Sequence, residues 1–88
     1  MKQPYTIHFT SRAQKDLNKL QKPIQKRILK KLLQLKIDRR STQFKPLVGD
    51  KIAKFRLRVG DYRILLDIFD QEKTILILRI GNRKDIYR

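Results

Sequence analysis

The hydrophobic pattern of this chain changes its period halfway along. Tyr5-Thr-Ile-His-Phe alternates and is rich in strand formers, so residues 5–9 predict a first strand. Thr10 or Ser11 then offers a side-chain oxygen to cap a helix. Ala13, Leu17 and Leu20 follow at helical spacing with charged residues between them. Pro23 suits the first turn of a second helix, where a missing N–H leaves nothing unsatisfied. Ile24, Ile28, Leu32 and Leu35 form one stripe on that helix, widened by Leu29 and Leu33. Two helices joined by a few residues pack as an antiparallel hairpin.

Residues 38–50 form a connector containing Ser41, Pro46 and Gly49. It is too short, and with Phe44 and Leu47 too apolar, to link two domains. The period then becomes two. Residues 51–59 predict a strand, Gly60-Asp61 a two-residue type II′ turn, and residues 62–69 its partner strand. Residues 70–73 make a second turn. Residues 74–80 are nearly all apolar, which predicts a central strand buried on both faces. The order β-α-α-β-β-β is an α+β fold, a single domain over 1–88, with the helical hairpin on one face of a small, mainly antiparallel sheet.

A two-residue loop at Gly60-Asp61 fixes the register. Val59 then faces Tyr62, Arg58 faces Arg63 and Lys54 faces Asp67. Because side chains alternate across a strand, Phe55, Leu57, Val59, Tyr62, Ile64, Leu66 and Ile68 share the core face. Lys54, Arg56, Arg58 and Arg63 share the other. Alternation of this kind also marks any half-solvated antiparallel sheet. The sign is what differs here: four cations stand with one anion, and like charges directly opposite destabilise.

Composition adds to this. The 88 residues include 40% apolar and 35% charged positions, enough for one small core. There is no cysteine and only one histidine, His8, so disulfides and the usual zinc ligand sets are excluded; His8 is read as structural. Neither a membrane span nor a secretory signal is expected, and the expected location is the cytoplasm. Twenty-three basic residues against eight acidic ones leave +15, which draws a chain to polyanions. The excess is spread along the sequence, 13 basic and 3 acidic residues in 1–50, 10 and 5 in 51–88. Lys15, Lys19, Lys22, Lys26 and Lys30 read as a solvated helix face with general attraction for polyanions. A second basic cluster, Arg83, Lys84 and Arg88, surrounds Tyr87, which is either a packing residue or a member of a site.

Three stretches together resemble the RelE/ParE toxin superfamily of toxin–antitoxin systems. They are the opening strand and helix with Ala13, Asp16, Leu17 and Leu20, the hairpin Arg58-x-Gly-x-Tyr-Arg63, and the ending Gly81-x-Arg-x-x-x-Tyr87. Lys45-Pro46-Leu47-x-Gly49 also looks like the segment before this hairpin in the family. Leu66 stands where many relatives carry Tyr, and the tail between Arg83 and Tyr87 is shorter than in some members. The RelE-like branch consists of ribosome-dependent mRNA endonucleases. Its pattern of site residues implies Lys54, Arg56, Arg63, Arg83 and Tyr87 as the catalytic set. Arg58, Lys84, Arg88 and the helix lysines would contact RNA and the ribosome.

The chemistry implied by the resemblance is internal attack by the RNA 2′-hydroxyl, without a metal or other cofactor. Lys54, Arg56 and Arg63 would stabilise charge on the phosphate. Tyr87 would activate the hydroxyl, with its phenolate form favoured by neighbouring cations, and Arg83 would serve the leaving group. The implied partners are an acidic cognate antitoxin, the ribosome with its rRNA, and mRNA, but no membrane. Two alternatives stay open: a ParE-like gyrase inhibitor, and a catalytically silent module that binds antitoxin or nucleic acid.

Overall fold

A computed structural model describes residues 4–37, 44–46 and 53–86 of the chain. Strand β1 (Thr6–Phe9) leads into helices α1 (Ser11–Asn18) and α2 (Lys22–Ile37), followed by strands β2 (Phe44–Pro46), β3 (Phe55–Val59), β4 (Tyr62–Phe69) and β5 (Thr74–Asn82). The sheet order is β1-β5-β4-β3-β2, with β1 parallel to β5 and every other pair antiparallel. The α+β order read from the sequence is the observed one, with one addition. Part of the expected connector is the short strand β2, which pairs Lys45 with Arg56 of β3. Among the described residues no helix is long and apolar enough to cross a membrane.

Thr10 is the helix cap. Its backbone is extended and its Oγ1 accepts the Ala13 N–H at 3.1 Å. The same residue ties the helix start to β5, donating its N–H to the Ile77 carbonyl at 3.0 Å and its hydroxyl to that of Leu78 at 3.2 Å. Asp16, six residues further on, closes the same edge. Its Oδ2 accepts from Arg79 Nε at 2.9 Å and from the Ile80 N–H at 3.0 Å, while Arg12 stands 3.7 Å from Oδ1. β1 pairs with β5 only as far as Ile77. Beyond that point the free edge of β5 is satisfied by Thr10 and Asp16, and an edge so covered cannot recruit a foreign strand.

The core lies between the helices and one sheet face. Ala13, Leu17, Ile28, Leu32 and Leu35 pack on Leu57, Val59, Ile64, Leu66, Ile75, Ile77 and Ile80. Phe55, Tyr62 and Ile68 are half-buried against this cluster, so the face expected from the hairpin register is the observed one. Leu29 and Leu33 do not widen the helical stripe: they are 44% and 53% exposed. Ile28, Leu32 and Leu35 set the inward direction. At 100° per residue, Leu29 and Leu33 turn away from it.

Two features of the sheet differ from simple alternation. The β4–β5 pairing shifts between Leu65↔Arg79 and Leu66↔Ile77, which leaves Leu78 as an extra residue. That bulge is why Ile77 and Ile80, three apart, both enter the core. β5 is an interior strand, but β4 is the middle one, and the outer-face residues Leu76 and Leu78 are only half-buried. The outer face carries its own small cluster of Ala53, Leu65 and Ile86, with Leu78 against it.

Candidate active site

The site is built on the β3–β4 hairpin. Gly60 has φ +58°, while Asp61 is not in the left-handed region, the pattern of a type II′ turn. The turn fixes Val59↔Tyr62 and Arg58↔Arg63 as cross-strand partners, as the two-residue loop requires. Two guanidinium groups thus start from directly opposed positions on the outer face. Arg63 is half-buried and folds back over its own turn. Its Nη1 donates to the Gly60 carbonyl at 2.9 Å and the Tyr62 carbonyl at 3.0 Å. Those two acceptors fix the direction of the fork while Arg58 stays exposed.

β5 brings the third cation to the same place. Tyr62 pairs with Asn82 and Arg63 with Gly81, and the Arg83 N–H donates to the Asp61 carbonyl at 2.8 Å. The exposed Arg83 is thereby anchored beside the hairpin turn. Asn82 then organises a tight return. Its Oδ1 accepts the Lys84 N–H at 2.9 Å, and its carbonyl accepts the N–H groups of Asp85 and Ile86 at 2.9 and 3.0 Å. The return drops Ile86 onto Leu65 and Ala53, over Gly81. Tyr87 and Arg88 lie outside the described residues.

The other expected members are spread along the hairpin. Arg56 pairs with Leu65 and is half-buried. The expected strand over 51–59 begins only at Phe55 among the described residues, so exposed Lys54 precedes it. Lys54 meets Asp67 through its backbone N–H, which donates to Asp67 Oδ1 at 2.7 Å. Four residue steps along the chain separate Lys54 from Arg58, about 13 Å at 3.3 Å per residue. The fold therefore gathers Arg58, Arg63 and Arg83 at the turn, with Arg56 midway and Lys54 at the far end. The cationic face is interrupted by the Leu65–Ile86 cluster, which the alternation in the sequence did not reveal.

Lys15, Lys19, Lys22, Lys26 and Lys30 are all exposed on the helical layer, across the sheet from Arg56 and Arg63; Lys84 is exposed beside Arg83. One of the helix lysines does approach the hairpin. Lys30, with Arg27 and Lys31, lines an open cleft of about 320 Å³ shared with Arg58 and Gly60. Arg27, Lys30, Lys31 and Gln34 stand at i, i+3, i+4 and i+7, so helical periodicity alone would have grouped them. His8 is exposed on β1, and among the described residues no group of three or more His, Cys, Asp or Glu could hold a metal ion.

The same arrangement of strand, helices and hairpin is found in known proteins. The family model for "ParE toxin of type II toxin-antitoxin system, parDE" matches residues 7–87. Toxin RelG of Mycobacterium tuberculosis is 38% identical over 89 residues, covering 97% of this chain and 98% of that protein. The chain belongs to the RelE/ParE toxin family. The toxin–antitoxin complex RelBE2 from M. tuberculosis contains a chain that superposes with TM-score 0.79 at 35% identity, covering 93% of this toxin and 94% of that chain. An archaeal RelE–RelB complex from Pyrococcus horikoshii OT3 gives TM-score 0.74 at 26% identity, covering 93% and 98%. Both relatives were solved with an antitoxin. In this toxin, Asp16 of the family-like opening has a structural role, holding α1 to β5.

Proposed function

We propose that this toxin is a ribosome-dependent endoribonuclease that cuts mRNA in the ribosomal A site and is neutralised by a cognate antitoxin. The observation that carries the reading is the gathering of Arg58, Arg63 and Arg83 on one hairpin turn, outside the core. RNA supplies its own nucleophile. Internal attack by the 2′-oxygen forms a bond to phosphorus, the phosphate passes through a pentavalent state, and the 5′-oxygen leaves with a proton. Arg63, its fork already oriented by two carbonyls, stabilises the added negative charge, while Arg56 midway along β3 and Lys54 at the far end of the hairpin extend positive charge along the same face. Arg83 serves the leaving oxygen and Tyr87 takes the proton of the 2′-hydroxyl. Arg58, Lys84 and Arg88 hold the RNA backbone near this face, and the helix lysines face rRNA.

Arginine and tyrosine are weak proton carriers near neutrality. The ribosome compensates by holding the mRNA in reactive geometry, and positioning alone is worth several orders of magnitude in rate. The antitoxin is expected to be acidic and partly disordered, folding as it covers a +15 surface. The matched family model favours one further reading, gyrase inhibition of the ParE type. One experiment separates the two. Toxin added to a translation reaction should stop it with mRNA cut in the A site, while naked RNA is cut far more slowly. Equal cutting of naked RNA, or gyrase-dependent DNA damage with intact mRNA, would refute the proposal.

A further inference from the structure

The cleft between α2 and the β3–β4 turn shares Arg58 and Lys30 with the surface described above, but Arg27 and Lys31, which also line it, have no part in that reading. Arg27, Lys30 and Lys31 approach it from the helix, and Arg58 and Gly60 from the hairpin, around a volume of about 320 Å³. Among the described residues no carboxylate pairs with any of these four cations. Like charges collected without counter-ions oppose folding, so such a cluster is favourable only when an anion enters. The site is shaped as well as charged. A Cβ at residue 60 would stand 3.0 Å from Arg27 Nη2, so the absence of a side chain there lets the guanidinium lie against the turn. Arg27 and Arg63 thus both meet Gly60, one where a Cβ would stand and the other on its carbonyl.

We propose that this cleft is a phosphodiester-binding subsite that holds RNA backbone entering or leaving the hairpin face. The inference rests on the reading of the toxin as RNA-directed. A phosphate with its sugar suits an open volume of this size, and four cations exceed what one carboxylate neutralises. Arg27 presents two N–H groups in the geometry of phosphate oxygens. Arg58 belongs both to the cleft and to the pair with Arg63, so the cations of α2 and those of the outer sheet face meet at the hairpin turn. The backbone comes either from mRNA or from rRNA, and the chemistry of recognition is the same.

The test is equilibrium binding by the full chain, with Arg27→Gln/Lys31→Gln as the main variant and Arg27→Gln and Lys30→Gln as single substitutions on exposed positions. The probes are a 2′-O-methyl RNA oligonucleotide, which cannot be cleaved, and ribosomes lacking mRNA. Each phosphate contact on a single strand contributes about 0.7 to the slope of log K against log salt, so the double variant should lose about 1.4 and bind several-fold more weakly. Lys73→Gln, in the turn at the other end of the sheet, should keep the parent slope. Loss confined to the oligonucleotide assigns the cleft to mRNA, loss confined to ribosomes to rRNA, and loss on both to backbone from either source; all three support the subsite. Parent slopes on both probes would overturn it. Cleavage is not the readout, so a failure here leaves the endoribonuclease reading standing, and a failure of that reading leaves these slopes interpretable.

Discussion

Asp16→Ala should be one of the most damaging single substitutions outside the apolar core. The carboxylate is 9% exposed and takes two hydrogen bonds on Oδ2, from the Arg79 guanidinium at 2.9 Å and the Ile80 N–H at 3.0 Å. Removing it eliminates one charge-assisted bond, worth about 1.5–3 kcal/mol, and leaves a buried backbone donor without an acceptor, about 1–3 kcal/mol. Arg79 is 21% exposed, so water recovers part of its solvation and the sum settles at about 3 kcal/mol. At about 0.05–0.15 kcal/mol per residue, the 88-residue chain has roughly 4–13 kcal/mol in total. The loss is therefore a large share, and the melting temperature should fall by about 12–24 °C. Asp16→Asn keeps an oxygen for the Ile80 N–H and should lose about half as much. Urea unfolding followed by circular dichroism measures both. An Asp16→Ala protein within about 0.5 kcal/mol of the parent would refute the claim that this carboxylate closes the β5 edge.

Other residues give independent checks by the same denaturation assay. Thr10→Ala should cost about 1–2 kcal/mol, since it removes the helix cap and the hydroxyl bond to Leu78 together. Leu32→Ala should cost about 2–5 kcal/mol, but Leu33→Gln should stay within about 0.5 kcal/mol, because only the first side chain is buried. Ile86→Ala should cost about 2–4 kcal/mol and also slow cleavage, since it unseats the return that follows Arg83; unchanged stability would contradict the second cluster.

The hairpin was the most legible part of the sequence. A glycine-first turn between two period-two segments permits one register, and that register assigns every side chain from Phe55 to Ile68 to a face. The opening strand, a cap at Thr10 or Ser11 and the inward stripe of both helices were legible for the same reason, a regular period with a boundary signal, although the stripe was drawn too wide at Leu29 and Leu33. The short strand β2 was not, because three residues carry too little pattern to stand apart from a connector. The bulge at Leu78 was hidden in a strand whose residues are nearly all apolar, where alternation gives no information about faces. The outer cluster depends on Ile86 returning through a turn fixed by the Asn82 side chain and carbonyl, a long-range outcome of local bonds. Asp16 entered only as part of the family resemblance, and its structural role was not legible. Its partners are 63 and 64 positions away, and no window on the sequence contains them. At the site, the pairing of Arg58 with Arg63 followed from the register, but Arg83 reaches them through the β4–β5 pairing and its bond to the Asp61 carbonyl.

The central claim is that the cations gathered at the hairpin turn do chemistry on bound RNA. Single-turnover cleavage of A-site mRNA at saturating toxin tests it most directly, for Arg63→Ala, Arg83→Ala and the control Lys73→Ala. Arg63 and Arg83 lie outside the core, and the carbonyls that Arg63 holds can turn to water, so folding by circular dichroism should be unchanged. A contact made only in the transition state lowers the rate of the bound complex more than its affinity. Each of the two arginine variants should therefore cleave at least about a hundred-fold more slowly, as the loss of a transition-state donor does elsewhere, with Lys73→Ala at the parent rate. Parent rates for both Arg63→Ala and Arg83→Ala would contradict the account and make the hairpin turn a binding surface alone.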